Sequence, residues 1–510
     1  MPAEQPNQAA LTAPSAAAAA APGDASRFRL LLGLLALVTV YRGLCLYFGG
    51  LDLYVDEAQY WTWAQKMDWG YYSKPPVIAA LIRLTTAFCG DSPFCIKSGA
   101  LLVYPLVTLL IWAIARRLFD ARIAFCSALV FLLVPGVSLS SMIISTDVPF
   151  FLFWALALYA YLRALDGNAW SWWLLAGVSA GLGLLTKYTM VIFAVSVLLH
   201  LALTPGLRRQ FANPRLYLAV LTAALVFAPN LWWNAQHGWP TLRHTEDISQ
   251  LKGGAGLHWN HLGDFLGGQF AVMGPVFFGA WIGLTLWRPR RWWVDERYRM
   301  LACFALPFLG IICLQALLGR ANANWGAMAY VGATIFTVGL MLQRGLKFLF
   351  AVGLAFNVLL MPLAYHLDAM TQAFGIELTS KTDPYKRVRG WAVFGRQAQL
   401  VSQQYPGALF LGDSRDVLAE LMYYVQPHPL DAVLWNPQHV MDNHYALSTT
   451  MDDKQGRDFL YVTEDAQLTP QMQASFDSVE ELPPLHVTIH PDYALDYRVW
   501  HLQGFKGYQP

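Results

Sequence analysis

Charge is scarce in this 510-residue chain. Asp, Glu, Lys and Arg together make up 13% of it, against about 25% in an ordinary soluble domain. The shortage excludes a water-soluble globular protein of usual composition. The net charge is only +2, which gives no broad electrostatic footprint for nucleic acid. There is no Gly-rich phosphate loop following a strand, so no nucleotide site announces itself. The six Cys contain no CxxC spacing and hence no metal-ligand pattern. No internal repeat is visible, and no Asn begins an Asn-x-Ser/Thr sequon, which favours a bacterial membrane over an endoplasmic one.

What the chain has instead is apolar runs: 56% of its residues are hydrophobic. Residues 1–26 are Ala-, Pro- and Gln-rich without periodicity and read as a disordered cytoplasmic tail. A secretory signal would place its apolar core before the small-residue site, and here the Ala run comes first. Apolar runs then recur at 30–48, 98–115, 122–140, 148–162, 216–233, 266–286, 300–318, 326–342 and 347–364. Most approach the ~20 residues that cross ~30 Å of hydrocarbon. The stretch 170–203 is too long for one crossing. Reading it as two places Arg27/Arg29, Arg116/Arg117/Arg122, Arg163, Arg208/Arg209/Arg215, Arg288/Arg290/Arg291 and Arg344/Lys347 on one side, as the positive-inside rule requires. The expectation is about eleven transmembrane helices over 27–365, with the N-terminus inside and the C-terminus outside.

From 366 to 510 the material changes. Charge density rises, and short apolar strands appear at 408–412, 431–435, 458–462, 485–489 and 497–502. Helical patterns lie at 415–425 and 468–475. This reads as a small α/β domain outside the membrane.

The outer loops carry the chemistry. Asp56-Glu57 stands among Tyr54, Val55, Tyr60, Trp61 and Trp63, close to the end of the first apolar run. Carboxylates beside such a wall at bilayer depth are costly unless they have a task. Asp147 falls in the short turn Ser145-Thr146-Asp147 between two apolar runs. Lys74 precedes Pro75-Pro76 and an apolar stretch 76–88 that is too short to span and is expected to lie along the interface. Such a lysine can snorkel to lipid phosphate, or grip the phosphate of a lipid-borne substrate. Lys187 sits at the outer junction of the two helices within 170–203.

The segments "VDEAQYW", "YYSKPPVIAAL", "ISTDVPF", "GLGLLTKYT" and "NAQHGWPTLRHT", in that order within residues 30–345, resemble the bacterial branch of the dolichyl-phosphate-mannose protein mannosyltransferase superfamily. That branch includes the aminoarabinose lipid A transferases. The resemblance implies a GT-C fold and transfer of one sugar from a polyprenyl-phosphate carrier to a lipid, glycan or protein acceptor outside the cytoplasm. It implies Asp56 as the base toward the acceptor, Glu57 as its companion, Asp147 as a second acidic residue of the site, and Lys74 on the carrier phosphate. Lys187, Arg243 and Tyr60 follow as further substrate contacts. Ser73 stands where lipid A members can place an acidic residue that holds metal, so a divalent cation is left open; His258 and His261 are the alternative ligands, set against the plain reading of two polar loop residues. The expected setting is a bacterial inner membrane, with the site and the C-terminal domain in the periplasm. A flippase of lipid-linked sugar would need ionisable groups along a central path and broken helices in matching halves, which the sequence does not display. A glycan ligase or polymerase would share the same site chemistry.

Cys89 and Cys95 lie in the first outer loop, where an oxidising compartment favours a disulfide. Gly90 and Pro93 favour a turn that brings their Cα atoms within the ~4.4–6.8 Å a bridge needs. Alkylation of folded protein in intact membranes should label neither cysteine until reductant is added. Labelling of both without reductant would rule the bridge out.

Overall fold

The computed structural model describes residues 22–249 and 256–509. Most of the expected tail, 1–21, lies outside the described residues. The first helix, Pro22–Phe48, already includes 22–26. The chain divides into two compact units. One holds the residues through Cys45, Ser98–Trp233 and Glu246–Tyr365. The other holds Leu46–Lys97, Asn234–Thr245 and everything from His366 on. The loop after the first helix thus clusters with the C-terminal region and not with the apolar helices, a grouping that hydropathy does not reveal.

The first unit is helical. Among the described residues six helices are long and apolar enough to cross a membrane, namely Asp24–Phe48, Pro93–Leu118, Asp147–Gly167, Pro214–Gln236, Glu296–Leu318 and Lys347–Tyr365. A seventh is reached if the bent pair Trp259–Met273 and Pro275–Leu286 is one span. Apolar helices also occupy the other expected positions, but they fall short of a full crossing. Ala121–Leu133 has 13 residues and Ala329–Gln343 has 15, which at 1.5 Å per residue reach only about 20–23 Å. The run 122–140 does not stay one helix because Pro135 follows Val134, whose extended backbone ends the first piece. The run 266–286 bends by 116°, because Gly274 adopts φ +85° and Pro275 offers no N–H. The stretch 170–203 does form two helices, Trp170–Leu184 and Val191–Leu203, parted by a short 3-10 turn after Lys187.

Polar groups inside this unit serve its breaks. The Arg42 guanidinium is buried and donates through Nη2 to the Leu132 carbonyl at 2.6 Å and to Ser138 Oγ at 3.0 Å. It thereby satisfies a carbonyl freed where the helix stops at Val134. Gly181 lets Trp170–Leu184 lie against Pro214–Gln236: a Cβ there would stand 2.6 Å from Val226 Cβ, the close approach that small residues permit between membrane helices.

The second unit contains a five-stranded sheet. Its strands are β1 Leu409–Gly412, β2 Val433–Leu434, β3 Phe459–Thr463, β4 Ser478–His490 and β5 Tyr493–Gln503, in spatial order β2-β1-β3-β5-β4. β1 pairs in parallel with β2 and β3, and β5 runs antiparallel to β3 and β4. β1 and β3 are buried at every position, as central parallel strands are. β4 is an edge, and it carries Pro483-Pro484 at a register shift between Leu482 and Leu485, where a missing N–H is tolerated. The helices Trp391–Ser402 and Arg415–Tyr424 belong to the same unit.

The loop 46–97 is bound to this C-terminal region at several points. Leu53 N–H donates to Tyr424 Oη at 2.6 Å and Tyr423 Oη to the Asp91 carbonyl at 2.6 Å, while within the loop Trp61 Nε1 donates to Asp91 Oδ1 at 2.8 Å. Asp52 Oδ2 accepts from Ala392 N–H at 3.3 Å, at the start of Trp391–Ser402. Cys89 and Cys95 are joined, with Cα atoms 5.8 Å apart, between the helices Val77–Cys89 and Pro93–Leu118.

Glu420 is the costly residue of this unit. It is fully buried, and neither carboxyl oxygen has a hydrogen-bond partner among the described residues. Burial, reinforced by Asp52, Glu57 and Asp416 against the opposing Lys97, pushes its pKa well above the ordinary value of 4.5. The unfolded chain therefore releases this proton at lower pH than the folded chain does. The contribution of Glu420 to stability is full below about 4.5 and is lost as pH rises toward the folded value. Glu420→Gln should leave the melting temperature little changed at pH 4.5 and raise it increasingly toward pH 8. A difference that is flat with pH would contradict a buried neutral acid.

Candidate active site

The residues that sequence reasoning singled out fall into two groups. Asp56, Glu57, Tyr60, Lys74 and Arg243 lie in the second unit, Asp147 and Lys187 in the first.

In the second unit the helix Val55–Gln65 presents Asp56 and buries Glu57. Adjacent helical residues point about 100° apart, so the two carboxylates part company. Glu57 turns inward, where Oε2 accepts from Tyr54 N–H at 2.8 Å and sits 3.5 Å from Lys97 Nζ. Lys97 also donates to the Asp52 carbonyl at 2.7 Å. Glu57 therefore caps and anchors the helix. Asp56 stays 39% exposed, and its Oδ1 lies 2.8 Å from Arg415 Nη2. Arg415 opens the helix Arg415–Tyr424, whose N-cap Ser414 accepts from Val417 N–H. Burial works against the Arg415 charge, but Asp56 and Asp416 outweigh it and raise the guanidinium pKa.

His244 belongs to the same cluster. Its ring lies 5.3 Å from that of Tyr72. Burial first, then the charges of Lys74 and Arg415, push its pKa down to about 4, with Asp56 opposing. Lys74 is thus within electrostatic reach of this group, and Tyr71 N–H donates to its carbonyl at 3.0 Å, fixing the turn before Pro75. Behind them Trp63 and Tyr71 stack at 4.4 Å, with His444 edge-on to both. Tyr60 is packed into this aromatic core at 4% exposure, 5.1 Å from Trp63. Arg243 is exposed on the helix Pro240–Ser249.

In the first unit Asp147 opens the helix Asp147–Gly167, where the dipole favours a carboxylate. Both its oxygens are taken: Oδ1 by Lys187 Nζ at 2.8 Å and Oδ2 by Asn324 Nδ2 at 2.6 Å. Lys187 stands in the extended break between its two helices. His258 and His261 stack at 5.0 Å, and His261 Nδ1 is bonded to the Gly319 carbonyl. Among the described residues no three His, Cys, Asp or Glu side chains group as a metal site.

Arg415, His244, Lys97 and Asn324 were not singled out by sequence. His244 and Asn324 were visible as polar residues of outer loops. Arg415 and Lys97 gave no signal, since one opens a helix far along the chain and the other starts an apolar run.

Residues 73–233 match the family model for dolichyl-phosphate-mannose-protein mannosyltransferase. The chain is 34% identical over 403 residues to lipid A galacturonosyltransferase RgtD of Rhizobium johnstonii, covering 77% of this chain and 82% of that protein. It is 26% identical over 303 residues to undecaprenyl phosphate-alpha-4-amino-4-deoxy-L-arabinose arabinosyl transferase 2 of Pseudomonas fluorescens, covering 56% and 52%. Among solved structures, ArnT from Cupriavidus metallidurans bound to undecaprenyl phosphate shares the fold, with TM-score 0.60 at 14% identity over 93% of this chain and 97% of that one.

The Asp147–Lys187 pair is nearly buried, with side chains 8% and 17% exposed. Removing one partner of such a pair leaves an uncompensated charge and costs about 3–5 kcal/mol. Asp147→Asn and Lys187→Met should each lower the melting temperature markedly, and the double variant should lose much less than the sum. Additive losses would show that the two charges do not depend on each other.

Proposed function

This chain belongs to the GT-C glycosyltransferase family that contains lipid A galacturonosyltransferase RgtD, and from that premise we propose that it transfers a galacturonosyl residue from polyprenyl phosphate to lipid A at the periplasmic face of a bacterial inner membrane. The observation that carries this reading is the 34% identity with RgtD over 82% of that protein. The geometry around Asp56 supports the chemistry. Asp56 accepts the proton of the acceptor hydroxyl as its oxygen bonds to the anomeric carbon of the sugar. The bond from that carbon to the carrier phosphate breaks, and the polyprenyl phosphate leaves with the electron pair. Lys74 balances the negative charge that grows on the phosphate. Asp56 suits the base role better than Asp147, because one of the Asp56 oxygens is engaged by Arg415 whereas both Asp147 oxygens are occupied.

Purified protein given polyprenyl-phosphate galacturonic acid and lipid A should release polyprenyl phosphate and add one galacturonosyl mass to lipid A. The Asp56→Asn variant should fold and lose about 10²–10⁴-fold in turnover, the range for loss of a general base. Turnover of an aminoarabinosyl donor in place of the uronosyl donor would move the sugar assignment. Near-native turnover by Asp56→Asn would remove Asp56 as base.

A further inference from the structure

The contact between Asp56 and Arg415 joins the first outer loop to the C-terminal region within one unit. Arg415 is held from three directions. Its Nε lies 3.1 Å from Asp416 Oδ1, its Nη1 donates to Gln59 Oε1 at 2.9 Å, and its Nη2 lies 2.8 Å from Asp56 Oδ1. Asp56 and Gln59 are three residues apart on Val55–Gln65, so they are neighbours on one helical face. A planar guanidinium spans such a pair with its fork, which a lysine ammonium cannot do. As a fold-stabilising bond the Asp56–Arg415 contact would be weak, since the two side chains are 39% and 37% exposed. The three-way hold of the guanidinium is more than a weak surface pair needs, and it fixes the direction from which Asp56 is approached.

We propose that Arg415 is the positioning residue of the reaction: it engages Asp56 Oδ1, sets the carboxylate plane, and leaves Oδ2 to take the acceptor proton. The C-terminal domain then supplies part of the active site and is not an accessory to it. The proposal rests on Asp56 being the base. It adds no bond-making step to the transfer already written. The charged and titratable groups around Asp56 are Arg415 with Asp416 from the C-terminal helix, and Lys74, His244 and Tyr60 from the outer loops.

Steady-state kinetics decide the matter. Arg415→Gln should lower kcat at least about tenfold at neutral pH while changing the donor KM less than about threefold, because an interaction used only in the transition state is lost. Arg415→Lys keeps the charge without the fork, so kcat should still fall. If Arg415→Gln does not fold, by melting temperature and gel filtration, Arg415→Lys carries the test: reduced kcat with unchanged donor KM supports the proposal, and parental kcat overturns it. A folded Arg415→Gln with parental kcat, or with a loss confined to KM, overturns it as well. Should Asp56→Asn itself be active, the base assignment fails first, whereas an inactive Asp56→Asn beside a kinetically silent Arg415→Gln sinks only the role of Arg415.

Discussion

The Glu57–Lys97 pair is buried on both sides, and its two ends lie 3.5 Å apart. Two charges so enclosed must satisfy each other and their neighbours, because stranding either one is far more costly than losing a surface pair. The surroundings do this: Glu57 also accepts the Tyr54 N–H, and Lys97 also donates to the Asp52 carbonyl. The consequence is geometric. With Glu57 pinned inward at the first turn of Val55–Gln65, Asp56 has to face away from that core. Asp52, whose carbonyl Lys97 holds, accepts with its own carboxylate at the start of Trp391–Ser402. One buried ion pair thus sets the rotation of the helix that carries the proposed base, and through Asp52 the segment just before that helix is tied to the C-terminal region.

Asp56 and Asp147, the two acidic positions that the resemblance puts at the site, are engaged differently. Asp147 has each oxygen engaged by one donor, a lysine and an amide, at a helix N-terminus, an arrangement that holds three separate segments together. Asp56 has one oxygen engaged and remains partly exposed. Identity of residue type does not separate these cases; hydrogen-bond capacity does. A carboxylate with a donor on each oxygen has fewer lone pairs left for an incoming proton than one engaged on a single oxygen.

Local signals were legible wherever a charged residue interrupts an apolar stretch. Asp56, Lys74, Asp147 and Lys187 could be found for that reason, and strands β1 and β3 could be found as short apolar runs ending near turn residues. Contacts between distant segments could not be found this way. Arg415 reads as one charge on an amphipathic helix, and nothing near it in sequence points to Asp56. Lys97 reads as the flank of a membrane run, yet it is buried beside Glu57. Tyr60, expected as a substrate contact, has its ring packed against Trp63, which its place in the sequence does not show. The helix breaks at Val134–Pro135 and Gly274–Pro275 had a visible cause in their prolines, and hydropathy averaged over a long window hides such a residue.

His244 shows how the cluster controls its own charge. A protonated imidazole beside Asp56 would add a third cation to Lys74 and Arg415. Burial and those two cations instead bring its pKa to about 4, so at neutral pH it carries no charge. A neutral ring can still offer one donor and one acceptor. The Arg415 charge is matched by Asp56 and Asp416, while Lys74 is the cation proposed for the carrier phosphate. On that proposal, fixing the base and receiving the anionic donor fall to different cations.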